Sequence, residues 1–298
     1  MKTSDLAALF SLAAIWGASF LFMRITAPAF GPFAMVALRV GLAALFLLPL
    51  LAWRGGLGTM WQRRRDLMVV GAFNSAIPFT FYAWAMLSVQ AGFASITNAT
   101  APLFAALIAW MWLKDRLSLT GVAGLLIGMA GVIILVWPKI RFDEGGLGWP
   151  VLACLAATLS YGFAANYTKR NLAGVDSLVT ATGSQACAAL LVVPLAWWQW
   201  PTVNPSLEVW AAAAVLAIGC TGIAYILFFR LISSVGPARA IAVTFLIPAF
   251  GMLWGVLFLA ETVTFNMLGG GAVILLGIGI TNGLIKWPVG RRGVQERA

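Results

Sequence analysis

The sequence predicts an all-α integral membrane protein: ten transmembrane helices arranged as two inverted five-helix repeats. Three observations carry this reading. Of the 298 residues, 62% are hydrophobic and only 9% are charged; an ordinary soluble domain has about 25% charged residues, so lipid must solvate most of the surface. The apolar residues fall into ten runs, each of roughly 20 residues, the length that crosses a hydrocarbon core. The second half also echoes the first, with Pro102 and Pro248, Asp115 and Glu261, Gly124 and Gly270, and Gly131 and Gly277 all 146 residues apart. Self-similarity at a fixed offset marks duplicated structural units.

Taken in order, the spans cover about 6–25, 33–53, 67–88, 92–113, 118–137, 148–168, 177–198, 208–231, 237–259 and 264–286. Glycine, proline and charged residues punctuate them, as at Gly31-Pro32, Arg54 to Asp66, Lys114 to Arg116, Lys169 to Asp176 and Gly236-Pro237. The first repeat occupies 6–137 and the second 148–287, joined by the polar stretch 138–148. Lysine and arginine in short loops set orientation. With the N-terminus in the cytoplasm, fifteen fall inside: Lys2, Arg54, the run Arg63 to Arg65, Lys114, Arg116, Lys169, Arg170, Arg230, Arg239 and the four at Lys286, Arg291, Arg292 and Arg297. Only Arg24, Lys139 and Arg141 fall outside. Both termini are therefore expected in the cytoplasm. Five spans per half is an odd number, so the second half must be inverted, with Asp115 inside and Glu261 outside. Residues 6–25 are long enough to span and show no cleavage pattern, so no removable signal peptide is expected.

The net charge of +10 is dispersed between apolar runs. A nucleic-acid-binding face needs clustered basic residues, so topology explains the charge better. Histidine is absent, which removes histidine metal sites, general bases and proton relays. Cys154, Cys187 and Cys220 sit in apolar runs without metal-type spacing and read as small apolar side chains. No cofactor and no metal are expected; the partners are a small-molecule substrate and the lipid bilayer.

The repeat extends beyond the prolines: Trp16-Gly17 aligns with Tyr161-Gly162, Pro49 with Pro194, and Tyr82 with Tyr225. The opening 12–20 (LAAIWGASF), Leu38-Arg39, the stretch 98–102 (NATAP), the turn from Leu113 to Leu117 and the glycine-rich fifth span together resemble the drug/metabolite transporter superfamily, in particular its ten-span family with two EamA domains. The resemblance covers nearly all of 6–287. It implies a carrier, most members being exporters of amino acids and other metabolites, and within the family the chain looks most like the aromatic-amino-acid exporter branch. It also implies a cavity built from spans 1, 3, 4, 6, 8 and 9.

Paired interrupted helices in corresponding positions of two halves point to a binding site. Pro102 and Pro248 each remove a backbone hydrogen bond; such a bend either opens carbonyls toward a cavity and acts as a hinge or is a static kink. Ala94, Asn98, Ala101, Ala105 and Ala109 share one small face of span 4, as Thr244, Pro248, Gly251 and Gly255 do on span 9. Small faces serve close packing or leave room for a ligand. Asn98 is the sharper candidate, because an amide in hydrocarbon is costly unless satisfied. Asn74, Pro78 and Tyr82 recur at helical spacing on span 3, opposite Thr221 and Tyr225 on span 8. With Trp16, Ser19, Phe20, Tyr161 and Asn166 they could line an aromatic, weakly polar pocket suited to amphipathic small molecules. Arg39 is the basic residue lying well inside a span, there either to attract a substrate carboxylate or to serve structure. Gly121, Gly124, Gly128 and Gly131 on span 5, with Gly269, Gly270, Gly271, Gly277 and Gly279 on span 10, form small packing faces, for each other or for a second copy in a homodimer.

No aspartate or glutamate lies in the middle of a span. That disfavours proton exchange through a central carboxylate and favours facilitated diffusion by alternating access over a broad-specificity, proton-coupled drug efflux carrier. Asp115 and Glu261, beside their turns, are expected to pair with Arg116, a nearby lysine or a helix N-terminus. An intramembrane enzyme would need a nucleophile with a base, or metal ligands, at membrane depth, and the chain offers neither; a non-transporting membrane sensor is the remaining alternative.

Overall fold

A computed structural model describes residues 2–115, 118–236, 240 and 242–285. Arg116, Leu117, Pro237, Arg239 and residues 286–298, which include four of the expected inside charges, lie outside the described residues.

The described chain is helical and free of strands, and ten apolar helices run through it. Spans 1 to 8 are Thr3–Phe30, Pro32–Trp53, Arg64–Ala85, Ala91–Leu113, Leu119–Lys139, Gly148–Asn171, Ser177–Trp198 and Leu207–Val235. Spans 9 and 10 are Val243–Leu259 and Phe265–Thr281, 17 residues each, about 25 Å at the α-helical rise. A six-residue helix, Leu57–Gln62, separates spans 2 and 3. Exposed tryptophans collect at span ends: Trp53 and Trp61 on one side, Trp137, Trp149, Trp197 and Trp198 on the other. That is the interfacial belt expected where rings meet headgroups.

The turns repeat as the sequence does. Lys114 and Ala260, one offset of 146 apart, are the described non-glycine residues with positive φ, at 57° and 52°. Each ends its span in the left-handed region. The following amide reaches back across the last turn, from Asp115 to the Ala109 carbonyl at 3.2 Å and from Glu261 to the Gly255 carbonyl at 3.1 Å.

The interrupted helices are not symmetric. Span 4 breaks after Asn98 at Ala99-Thr100 and restarts at Ala101 with Pro102 in its first turn. In span 9 Ala240 is helical and Ala242 is a turn, and the helix then runs unbroken from Val243 to Leu259 with Pro248 inside it. The expectation of two helices broken at proline therefore holds for Pro102 alone. The Thr100 hydroxyl donates to the Thr97 carbonyl at 2.7 Å and lies 3.2 Å from the Thr158 hydroxyl of span 6. These bonds satisfy the frayed turn locally.

The halves meet in matched pairs. Span 1 packs on span 9 and span 6 on span 4, while span 2 meets span 7 and span 5 meets span 10. Glycine makes the closest approaches possible. A Cβ on Gly17 would lie 2.7 Å from Phe250 Cβ and 2.9 Å from the Gly251 nitrogen. One on Gly162, its counterpart, would lie 2.8 Å from the Ala105 nitrogen. Along spans 5 and 10, a Cβ on Gly124 would sit 2.5 Å from the Thr281 nitrogen, and one on Gly131 2.6 Å from the Ile274 nitrogen. These glycine faces are thus turned to each other within one chain. Gly124→Ala is expected to lower the thermal unfolding midpoint in detergent by overpacking, at a cost of about 1–3 kcal/mol. Gly269→Ala, with open space around it, should leave the midpoint unchanged or raise it, since alanine favours a helix by about 1 kcal/mol over glycine.

Candidate functional site

Spans 3 and 8 share a local irregularity that the sequence pattern does not announce. Span 3 widens into a π turn over Ala72–Ala76, and span 8 does so over Val215–Ile223. The two openings are 143 residues apart, the offset of Tyr82 and Tyr225. A π turn adds a residue to the helical circuit and re-aims its side chains, and such turns concentrate at functional sites. In span 8 the Thr221 hydroxyl donates back to the Leu216 carbonyl at 3.1 Å, which fixes its oxygen to receive Arg39 Nε, also at 3.1 Å.

Arg39 is the centre of this site. It is 6% exposed. Its Nη1 reaches the Met23 sulfur at 3.2 Å, and its Cζ lies 3.7 Å from the centroid of the Phe79 ring. Tyr161, Cys220 and Tyr225 are within range of its charge. No carboxylate pairs with it; the ion pairs among the described residues are Arg63–Asp66, Arg141–Asp143 and Lys169–Asp115. A guanidinium has five N–H donors, and most of these have no acceptor among the described residues.

Aromatic rings wall the surroundings. Phe20 meets Tyr82 edge-on at 5.7 Å, Tyr82 stacks on Tyr161 at 6.4 Å, and Phe79 meets Tyr161 at 6.5 Å. On the other side Tyr225 stacks on Phe229 at 5.8 Å, and Phe228 carries the wall to Trp16 at 5.1 Å. Asn74, in the π turn of span 3, donates to the Tyr225 hydroxyl at 3.4 Å. The Tyr82 hydroxyl is buried with no hydrogen-bond partner among the described residues. Phe20, Arg39, Asn74, Tyr82, Tyr161, Thr221 and Tyr225 thus belong to one linked cluster. Pro78 is buried on the same stretch of span 3.

The other candidates lie elsewhere. The Ser19 hydroxyl returns to the Trp16 carbonyl at 2.7 Å. Asn166 commits its amide to the seam between spans 4 and 6, donating to the Ala105 and Gly162 carbonyls at 2.8 and 2.9 Å. Asn98 and Pro102 flank the break of span 4, half-buried. Pro248 is buried in span 9, and Thr244 is half-buried one turn before it. Sequence reasoning missed Met23, Phe79, Ser75 and Gln185. Only Gln185 had a signal: an amide in the middle of an apolar run.

Beyond the cluster, each turn acid ties the halves together. Asp115 pairs with Lys169 at 2.9 Å, the nearby-lysine outcome. Glu261 takes the helix N-terminus instead, accepting from the Ala91 and Gly92 amides at 2.6 and 2.9 Å. A carboxylate on the first amides of a helix is favoured by hydrogen bonding and by the dipole. Glu261→Ala should therefore cost about 1 kcal/mol, read as a lower thermal midpoint.

Chemically, the cluster pairs a cation lacking a counter-ion with an apolar, ring-lined wall.

Comparison with known proteins places this architecture. The model of a family described as "EamA-like transporter family" matches residues 4–137 and again 148–283. The Escherichia coli "Uncharacterized inner membrane transporter YedA" is 27% identical over 94% of this chain and 92% of its own. An "Uncharacterized transporter" of Archaeoglobus fulgidus is 21% identical over 88% and 93%. A "Probable terminal-alkyne amino-acid exporter" of Streptantibioticus cattleyicolor is 25% identical over 93% and 92%. A crystal structure sharing 22% identity superposes with a TM-score of 0.65 over 95% of this chain and 98% of the other, which is likeness of fold.

Proposed function

This chain belongs to the EamA-like transporter family, and from that premise we propose that it exports amino acids, aromatic ones included, or related small carboxylate-bearing metabolites. It does so across the cytoplasmic (inner) membrane, with both termini in the cytoplasm, by alternating access without a coupled proton. The observation that carries the reading is Arg39: a buried guanidinium with no acid against it, inside a ring-lined cluster. A substrate carboxylate would supply the missing charge and accept two N–H bonds in the fork geometry that guanidinium offers. The rings would contact the substrate's apolar body. The likeness to a relative named as an amino-acid exporter supports the same substrate class, and the relative named YedA supports the inner membrane. Family and relatives alike are named as transporters, which supports a carrier rather than an enzyme.

Arg39, Thr221 and Tyr82 are all buried, so a substrate reaches the cluster only when helices part. The matched contacts of span 1 on span 9 and span 6 on span 4 are the seams that would separate in turn, one half rocking against the other. The acids lie at turns and span ends, leaving no central carboxylate to carry a proton. Any homodimer through spans 5 and 10 would use their outward faces, where Leu126, Ile133 and Leu268 are exposed, because the glycine faces are already occupied.

Counterflow in proteoliposomes tests the reading, with a panel of labelled amino acids, sugars and cationic dyes. Saturable exchange of amino acids, unaffected by collapse of a proton gradient, is the expected result. Saturable flux of dyes but not amino acids would overturn the substrate class, and uphill export driven by protons would overturn the mechanism.

A further inference from the structure

We propose that Gln185 reads the α-amino group of the substrate, making the carrier selective for amino acids over the same carboxylates without the amine. The proposal rests on the carboxylate reading of Arg39 and extends it to the second charged group of the ligand.

Gln185 lies in the middle of span 7 and is 0% exposed. Its Nε2 donates to the Ser75 hydroxyl at 2.9 Å. Its Oε1 is buried with no hydrogen-bond partner among the described residues. An orphaned amide oxygen in a membrane interior carries a desolvation cost that a fully packed protein would avoid. Ser75 belongs to the π turn of span 3, next to Asn74, whose amide donates to the Tyr225 hydroxyl. The Tyr225 phenol lies against Gln185 as well and within range of Arg39. The Gln185 amide, with its unpaired oxygen, is thus joined through Ser75, Asn74 and Tyr225 to the cluster that holds Arg39. An α-amino acid carries the complement on adjoining carbons, a carboxylate for the guanidinium and an ammonium for the amide oxygen. An ammonium donates three hydrogen bonds and accepts none, so the unpaired amide oxygen is a group that distinguishes it from a second carboxylate.

The orientation of the amide gives the idea a built-in rival. Were the amide reversed, Ser75 would donate to it and the free atom would be an N–H. That atom would favour a second carboxylate oxygen and reject an ammonium. The two orientations predict opposite preferences.

Equilibrium binding to the purified full-length protein in detergent separates them, using matched pairs such as phenylalanine with 3-phenylpropionate and leucine with 4-methylpentanoate. The wild type is expected to bind the amino acid of at least one pair at least tenfold more tightly than its des-amino partner. Gln185→Leu should bring that ratio close to one by weakening the amino acid while leaving the des-amino compound unchanged. Ser75→Ala, which removes the partner that orients the amide, should lower the ratio in the same direction; it carries the test if Gln185→Leu fails to fold. A wild type that binds both members equally, or prefers the des-amino compound, overturns the proposal, as does an unchanged ratio in the variants. If no pair binds at all, or if Arg39→Leu leaves binding intact, the Arg39 reading itself has failed. Loss of discrimination alone leaves that reading standing.

Discussion

Arg39→Leu is expected to leave the helix bundle as stable as before, or more so, while abolishing exchange. Burying a guanidinium costs several kcal/mol after relaxation. In return Arg39 has one hydrogen bond to Thr221, a sulfur contact to Met23 and the face of Phe79. A net hydrogen bond contributes about 1 kcal/mol and a desolvated cation–π contact about 2 kcal/mol, too little to offset the burial. Replacing buried charge by an apolar side chain of similar volume is often neutral or stabilising. The thermal midpoint should therefore hold or rise. Transport should move the other way. Removing one partner of a buried charge pair costs about 2–5 kcal/mol of binding, and each 1.4 kcal/mol is about tenfold, so counterflow of a carboxylate substrate should fall by at least about thirtyfold. Arg39→Lys should fall between, since a point charge keeps attraction but loses the fork. A variant that exchanges substrate normally would make Arg39 structural, and one that fails to fold would show its charge to be integral to the packing.

That contrast explains why Arg39 was visible from the sequence when most of its neighbours were not. A charge inside an apolar run violates the solvent's demands, whereas an acid confined to a turn obeys them. Lipid makes such features conspicuous, just as it imposes the span length that delineates the ten helices. The duplicated offset was equally plain, and Lys114 and Ala260 adopt matching left-handed conformations at it. Other features leave no trace in composition. The π turns of spans 3 and 8 are a choice of hydrogen-bond partner, i to i+5 in place of i to i+4, in segments as apolar as any other. The continuity of the helix from Val243 to Leu259 through Pro248 is another such feature. Gln185 obeys the rule that marks Asn98, an amide in hydrocarbon, but it lies on span 7, outside the spans from which the family resemblance builds the cavity. Asn166 shows the reverse error, an amide in hydrocarbon that serves a seam: its protons go to span 4 and to its own helix.

The same duplication makes a prediction in which two chemically identical substitutions act in opposite directions. Gly17 on span 1 meets Phe250 and Gly251 on span 9, and Gly162 on span 6 meets Phe104 and Ala105 on span 4. Inversion of the second half makes these two seams counterparts, so that under alternating access they are expected to part toward opposite faces of the bilayer. A methyl group at either glycine would fall within 2.9 Å of neighbouring backbone atoms, so the helices must part at that seam or strain. Overpacking of this kind costs about 1–3 kcal/mol in the closed arrangement, which shifts a two-state equilibrium by about fivefold to over a hundredfold. Gly17→Ala should favour the state open past the span 1 and span 9 seam. Gly162→Ala should favour the state open past the span 6 and span 4 seam. Each should slow exchange by at least about fivefold, because a carrier held on one side cannot cycle. Cys220, 3% exposed and within range of Arg39, is a reporter already in place. With Cys154 and Cys187 replaced by alanine, a membrane-impermeant thiol reagent should label Cys220 from one face in Gly17→Ala and from the other in Gly162→Ala. Labelling from the same face in both would mean that the seams do not open alternately, and the rocking of inverted halves would have to be abandoned.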